Sequence, residues 1–159
     1  MGWVDERRIK EDDVIKQKCN NAAKECHVDH LLQRNFNTLS GGEQRRVHFA
    51  RTLLQIDHQY DDIGARYMFL DEPTANLDLS YELQLIRLLK KKSINGIGVL
   101  LIIHDLNLAS KFSDKIAILK RGSLFNVGTP SGVFQSKILS DVFGLAMEVD
   151  PKTLRVNYY

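Results

Sequence analysis

The sequence predicts an α/β fold built around a mainly parallel sheet. Two short apolar runs, Tyr67–Leu70 and Ile97–Ile103, have the length and unbroken apolar character of buried strands. Between them, Leu79–Lys92 carries its apolar residues at the three-to-four-residue spacing of a helix. A strand, a helix and a second strand in that order are typical of a parallel sheet.

Composition limits the class of protein. The chain has 159 residues, of which 43% are hydrophobic and 26% charged, and its formal net charge is +2. These values are ordinary for a globular protein and argue against a disordered chain. The longest unbroken aliphatic run, Val99–Ile103, is much shorter than the roughly 20 residues of a membrane-spanning helix. The small net charge gives no general support for nucleic-acid binding.

The N-terminal part of the chain is predicted to be helical. Residues 1–35 combine charged and amide side chains with scattered apolar positions, and we interpret them as two short amphipathic helices. A polar break at Gln33–Thr38 precedes a further helix that ends near Gln55. The apolar residues of this helix recur at helical spacing, at Val47, Ala50 and Leu54.

The remaining elements follow at short intervals. A polar loop, Ile56–Arg66, precedes the first strand, and Asn95-Gly96 ends the helix that follows this strand. After the second strand we expect a helix from about Leu106 to Phe112. The rest of the chain is interpreted as strands at Lys115–Leu119 and Ser123–Val127, joined by a turn at Arg121-Gly122, and then two short helices and a weak final strand.

The segment Leu39–Glu43, Leu-Ser-Gly-Gly-Glu, predicts a helix that begins with an anion site. Ser40 stands three residues before Glu43, which is the spacing of a capping box. Gly41 and Gly42 leave the backbone N–H groups of the first turn uncrowded, and such groups together with a hydroxyl attract anions. Taken alone, the same pattern is more often only a well-capped helix.

Two adjacent carboxylates, Asp71 and Glu72, follow the first apolar strand. In a parallel sheet they lie at the carboxyl edge, where ligands of such sheets bind. Asp71 is suited to hold Mg²⁺ through its water shell, and Glu72 to polarise a water for attack on a phosphoryl group. A solvated turn before Pro73 is the alternative interpretation.

His104 ends the second apolar strand and is predicted to reach the same sheet edge. A neutral imidazole there can contact a terminal phosphate or orient the attacking water. A lone histidine at a strand end is more often a capping or core residue, so the position of His104 gains weight only from its neighbours.

Together these motifs resemble those of an ATP-binding cassette (ABC) ATPase. LSGGE at 39–43 resembles the signature motif of that family, and YMFLDE at 67–72 resembles its Walker B strand. TANLD at 74–78 resembles the D-loop, and His104 the switch histidine. All four occur in the family's order, which is a highly specific match.

The resemblance implies ATP and Mg²⁺ as ligands and a role for each motif residue. Asp71 would act at the Mg²⁺, Glu72 as general base, and His104 on the γ-phosphate. The signature would contact ATP bound on the opposite subunit, and Asp78 would join the two sites across the dimer interface. The nucleotide-binding residues implied in this way are Leu39, Ser40, Gly41, Gly42, Glu43 and Asp78.

One motif that the family requires is absent from the sequence. The phosphate loop reads G-x-x-x-x-G-K-[S/T], and none of the ten glycines here is followed by Lys. The resemblance therefore implies the C-terminal part of a P-loop NTPase fold. Residues 1–55 would form part of the helical subdomain, and 56–159 the Walker B half of the core with the tail. We expect little or no ATPase activity from the isolated chain.

The form HDLNLAS at 104–110 and the tail resemble importers of hemin, ferric siderophores and vitamin B12, and hemin is favoured. The implied partners are membrane permease subunits, a second ATPase subunit and, indirectly, a substrate-binding protein, at the cytoplasmic side of the cell membrane. No nucleic-acid partner is expected: residues 1–38 are too few for the long coiled coil of DNA-repair ABC ATPases. A non-catalytic remnant that binds a partner stays an alternative.

Overall fold

A computed structural model describes residues 6–57, 64–75 and 77–158. The helices are α1 (Glu6–Glu25), α2 (Gly41–Asp57), α3 (Leu79–Ile94), α4 (Leu106–Phe112), α5 (Pro130–Val133) and α6 (Ser136–Phe143). The strands are β1 (Arg66–Asp71), β2 (Ile97–Ile102), β3 (Ile116–Lys120), β4 (Ser123–Gly128), β5 (Glu148–Val149) and β6 (Val156–Asn157). The order of elements confirms the α/β class.

The strands pair in three two-stranded ladders. β1 and β2 are parallel, whereas β3 with β4 and β5 with β6 are antiparallel. The expectation of a mainly parallel sheet therefore holds for the first pair only, among the described strands. The two-residue turn Arg121-Gly122 explains the β3–β4 pair, because both residues have positive φ (50° and 77°), as a tight hairpin requires. A parallel pair needs a long crossover, which α3 supplies between β1 and β2.

The prediction of two short helices in residues 1–35 is wrong in its detail. A single α-helix, α1, occupies Glu6–Glu25, and a 3₁₀ turn follows at Asp29–Leu31. No glycine or proline interrupts residues 6–25, so the scattered polar positions do not break the helix. The chain leaves the helix at His27, whose φ is 54°.

A first hydrophobic core joins α1, α2 and α3 to one face of β1 and β2. It draws on both of the parts, 1–55 and 56–159, into which the sequence was divided. Its buried residues are Ala23, Cys26, Val28, Leu31, Leu39, Ala50, Leu53, Met68, Leu85, Ile86, Leu89, Ile97 and Leu108. A second, smaller core in the tail contains Val133, Phe134, Leu139, Met147 and Val156.

The helix α4 connects the two cores. Leu108 is buried in the first core, while Leu106 and Ala109 pack against the second. Between these positions, the Asn107 side chain holds the last strand: its Oδ1 accepts from the backbone N–H of Val156 at 2.8 Å. In the described part of the chain, no helix combines the length and apolar character that crossing a membrane requires.

No described residue covers the opposite face of the β1–β2 pair. Side chains alternate between the two faces of a strand, and Met68 points into the core with 2% of its surface exposed. Its neighbours Tyr67 and Phe69 are 64% and 73% exposed, and on β2 Leu100 and Ile102 are 57% and 50% exposed. We call these four residues the open sheet face.

Candidate functional site

The carboxyl ends of β1 and β2 bring Glu72 and His104 into contact. The two strands are parallel and in register, so that Asp71 pairs with Ile102 at the end of the ladder. One further hydrogen bond, from the backbone N–H of Glu72 to the carbonyl of Ile102 at 3.2 Å, extends this pairing. His104 Nε2 then lies 2.6 Å from Glu72 Oε1. The predicted meeting of the two strand ends is present.

The backbone of Glu72 adopts a conformation that is unusual for a residue with a side chain. Its φ is 45°, in the left-handed region. Such positions cost about 1–3 kcal/mol and cluster at functional sites. The backbone carbonyl of Glu72 accepts from the N–H of Ala75 at 3.1 Å, so the strand ends in a tight turn at this point. The turn directs the Glu72 carboxylate toward His104.

An open cleft of about 240 Å³ adjoins this pair. Its walls come from the ends of β1 and β2 and the start of α3. The lining residues are Glu72, Thr74, Ala75, Glu82, Ile103, His104 and Asp105. Three of these are acidic, so a cation or a metal-bound phosphate is a better match to the cleft than a free anion.

Asp71 lies beside the cleft, exposed at the last position of β1. A single exposed carboxylate fits Mg²⁺, which is commonly bound by one or two carboxylates and retains several waters. Among the residues that the structure describes, no three His, Cys, Asp or Glu side chains converge as a metal-binding group. Asp71 therefore fits a water-rich Mg²⁺ and not a cage made of protein ligands.

The Ser40–Glu43 segment forms the predicted capping box at the start of α2. Glu43 Oε2 accepts from the backbone N–H and from the hydroxyl of Ser40, each at 2.8 Å. In return, the backbone N–H of Glu43 donates to Ser40 Oγ at 3.4 Å. The N–H of Ser40, then its hydroxyl, and the nearby Arg34 and Arg46 lower the pKa of the Glu43 carboxyl below its usual value.

The two glycines of this segment have open space around them. A Cβ added at Gly41 or Gly42 would meet no atom of the protein within 4 Å. The packing of the chain itself therefore gives no reason for glycine at either position. Space in front of helix N–H groups is what a phosphate needs for close approach.

Leu39 has a different position from the rest of the segment. Its side chain is only 7% exposed and belongs to the first core. Its carbonyl accepts from the Gln44 side chain at 3.2 Å. Its buried side chain anchors the segment, and the prediction that Leu39 belongs with the nucleotide-binding residues stays a prediction.

Asp78 caps α3. Its Oδ1 accepts from the backbone N–H of Tyr81 at 3.0 Å, and its carbonyl from the N–H of Glu82 at 2.9 Å. This role is structural and does not depend on a ligand. Asn76, the central residue of the predicted D-loop, lies outside the described residues.

The structure brings together one set of the predicted residues. Glu72 and His104 line the cleft with Asp71 beside it, whereas Ser40, Gly41 and Gly42 are not part of its lining. Sequence reasoning gave no site role to the three other polar residues of the cleft: Thr74, Glu82 and Asp105. For Glu82 a signal was available, because it lies one helical turn after Asp78.

Curated proteins that resemble this chain are named as hemin import ATP-binding proteins. One from Rhodopseudomonas palustris is 40% identical over 129 residues, which are 81% of this chain and 48% of that protein. Another, from Plesiomonas shigelloides, is 35% identical over 92% of this chain and 59% of that protein. No protein-family profile matches the chain.

Solved structures with this fold are components of ABC transporters. CbiO1 from Clostridium perfringens, part of an ABC transporter complex, superposes with a TM-score of 0.62 at 27% identity over 82% of this chain and 49% of that one. A transporter described as metal-chelate type, in an inward-facing conformation, superposes with a TM-score of 0.70 at 22% identity over 90% and 55%. By sequence and fold, the chain is similar to ABC ATPases.

The similarity to ABC ATPases covers nearly all of this chain but only part of each relative. The chain spans about half the length of the curated relatives it matches. The activity and partners of a whole ABC ATPase subunit are therefore considered below as proposals.

Proposed function

We propose that this chain carries part of the ATP-binding and ATP-hydrolysing subunit of an ABC importer. The contact between Glu72 and His104 at the carboxyl edge of the β1–β2 pair carries this proposal. A carboxylate held by an imidazole beside an open cleft is suited to take a proton from an attacking water. The alternative, a remnant without catalysis, does not require a strained glutamate at this point.

Glu72 is the general base in this proposal. Its side chain is 45% exposed and can be reached by water, while one carboxylate oxygen is held by His104. That contact fixes the direction of the other oxygen. His104 is 79% exposed, so its ring can also turn toward a terminal phosphate.

The residues of Leu39–Glu43 serve a second nucleotide site. Ser40, Gly41 and Gly42 offer a hydroxyl and unobstructed backbone to the γ-phosphate of ATP on another subunit. Their separation from the cleft supports this arrangement, since the cleft lining contains none of them. Leu39 and Glu43 hold the segment in place, and Asp78 reaches the dimer interface from the start of α3.

Asp71 would hold a nucleotide-bound Mg²⁺ through water, and this ion would neutralise phosphate charge. We assign residues 1–55 to the helical subdomain with the signature, and 56–159 to the Walker B half and the tail. The names of the relatives favour hemin as the imported compound over siderophores or vitamin B12. Permease subunits at the cytoplasmic face of the cell membrane and a substrate-binding protein complete the system.

The experiment is an ATPase assay on a fusion. The part of the Rhodopseudomonas palustris relative that this chain does not match is joined to the N-terminus of this chain, because the phosphate loop precedes the signature in the family. We expect Mg²⁺-dependent ATPase activity from the fusion and almost none from the isolated chain. Glu72→Gln should lower the activity of the fusion by a factor of about 10²–10⁴, the contribution of a general base.

The matched control is Glu148→Gln, which makes the same chemical change at an exposed position of β5. It should leave the activity of the fusion within about twofold. An inactive fusion that is folded and binds ATP, or one that stays fully active with Glu72→Gln, contradicts the proposal.

A further inference from the structure

Asn107 ties the last strand of the chain to the helix that follows His104. It lies on α4, at the centre of HDLNLAS. Its Oδ1 accepts from the backbone N–H of Val156 at 2.8 Å, and its Nδ2 donates to the carbonyl of Val156 at 3.4 Å. Both polar groups of one side chain are thus bound by a single residue that lies 49 positions further along the chain.

The Asn107 carboxamide takes the place of a neighbouring strand beside β6. The N–H and C=O of a strand residue point to the same edge, so Asn107 occupies one edge of β6 at Val156. The other edge of β6 faces β5, where Val149 is the register partner of Val156. β5 and β6 are only two residues long, and a pair this short is marginal by itself. The hydrogen bonds from Asn107 therefore fix β6 against α4.

The capping of α4 does not require asparagine at this position. Asp105 is the N-cap, and its Oδ1 accepts from the N–H of Leu108 at 2.9 Å. Asparagine is a weaker helix former than leucine or alanine. Val156 is only 3% exposed, so an apolar side chain at position 107 would leave its backbone groups without these partners at a buried residue. The reason for asparagine is therefore the contact with β6.

The support of α4 bears on His104. The β1–β2 ladder ends at Ile102, and His104 lies between this end and the start of α4. Its Nε2 is 2.6 Å from Glu72 Oε1, while its side chain is 79% exposed. Little packing holds the imidazole ring itself, so its distance from Glu72 depends on the backbone on either side of His104.

We propose that Asn107 is a positioning residue, which makes β6 part of the support of the contact between Glu72 and His104. Asn107 does not line the cleft, so it acts through the first turn of α4 and not on a ligand. Without its two hydrogen bonds, this turn and the backbone of His104 should become more mobile. The effect on ATP hydrolysis rests on the proposed function, whereas the support of His104 does not.

Hydrogen–deuterium exchange of the 159-residue chain without nucleotide tests this support. Asn107→Leu has a similar shape but neither polar group. We expect it to speed exchange in residues 104–109 at least about fivefold, because amide protection follows local stability, and to leave β1 and α3 within about twofold. Asn107→Asp keeps the acceptor for the N–H of Val156 and should have a smaller effect.

The matched control is Asn157→Leu, the same change at the exposed neighbouring position of β6. It should leave exchange in residues 104–109 within about twofold. Three results would overturn the proposal: unchanged exchange in 104–109 with Asn107→Leu, equal acceleration in both leucine variants, or acceleration that is as large in β1 and α3.

The fusion described above gives a second readout. Asn107→Leu should lower its kcat at least about fivefold and leave its KM for ATP within about twofold, because Asn107 does not line the cleft. Asn157→Leu should change neither constant by more than about twofold. An unchanged kcat in an active Asn107→Leu fusion would contradict the positioning role. A wild-type fusion without ATPase activity would count against the proposed function alone, since the exchange measurement still decides the support of His104.

Discussion

The two cysteines differ in their surroundings, and their reactivity should differ accordingly. Cys26 is buried in the first core, and this burial raises the pKa of its thiol to about 12, with a smaller contribution from the neighbouring charge of Glu25. Since the thiolate is the reactive form, Cys26 is held in its unreactive state at neutral pH. Cys19 on α1 is partly exposed.

We therefore predict selective alkylation. Iodoacetamide at pH 8 should modify Cys19 at least about tenfold faster than Cys26 in the folded protein. In urea the two rates should become similar, because unfolding removes the burial. Peptide mass spectrometry over a time course measures both rates, and equal rates in the folded protein would contradict the assignment.

At the scale of single residues, the sequence predicts the cleft residues that follow directly after apolar strands. It misses the cleft residues that other segments contribute. Glu72 and His104 are predictable because each follows an apolar strand. Thr74 and Asp105 enter the cleft through turns, whose geometry apolar spacing does not encode. The buried position of Leu39 has the same cause: a motif gives the residue type but not the direction of the side chain.

At the scale of an element, the start of α2 should respond to acid. The folded-state pKa of Glu43 is lowered from 4.5, so its carboxylate contributes stability above that pH. The contribution is lost as the pH falls below 4.5 through the folded-state pKa. Glu43→Gln should therefore lower the thermal midpoint near pH 7, and the difference from wild type should shrink toward pH 3.

Thermal unfolding followed by circular dichroism between pH 7 and pH 3 measures this difference. Glu148→Gln removes the same charge from an exposed position of β5 and should have the smaller effect at pH 7. A Glu43→Gln difference that stays constant across the pH range would show that the carboxylate is not what stabilises the helix start.

The elements themselves were predicted with uneven success, and the reasons are local. α3 and β2 carry strong apolar spacing, and their predicted bounds are close to the observed ones. The sequence predicts two helices in residues 1–35 because apolar positions there are sparse, whereas the structure has the single helix α1. The C-terminal end of α1 is held by a contact from another helix. Lys92 on α3 forms an ion pair with Glu25 at 2.9 Å, a contact between distant segments that sequence spacing does not reveal.

At the scale of the whole molecule, stability should depend on the first core. Leu53 on α2 is fully buried there. Leu53→Ala should lower the free energy of unfolding by about 2–5 kcal/mol, because it removes apolar contacts and leaves a cavity. Leu124→Ala, at an exposed position of β4, should change it by less than about 0.5 kcal/mol. Urea denaturation measures both, and similar losses would contradict the assignment of the core.

The position of α4 limits how the candidate site moves. The helix is only seven residues long, begins directly after Asp105, and is fixed to one core through Leu108 and to the other through Leu106. The backbone that follows His104 is therefore held by packing against both hydrophobic cores. We therefore expect a change in what His104 touches to come from rotation of its side chain and not from a displacement of the loop.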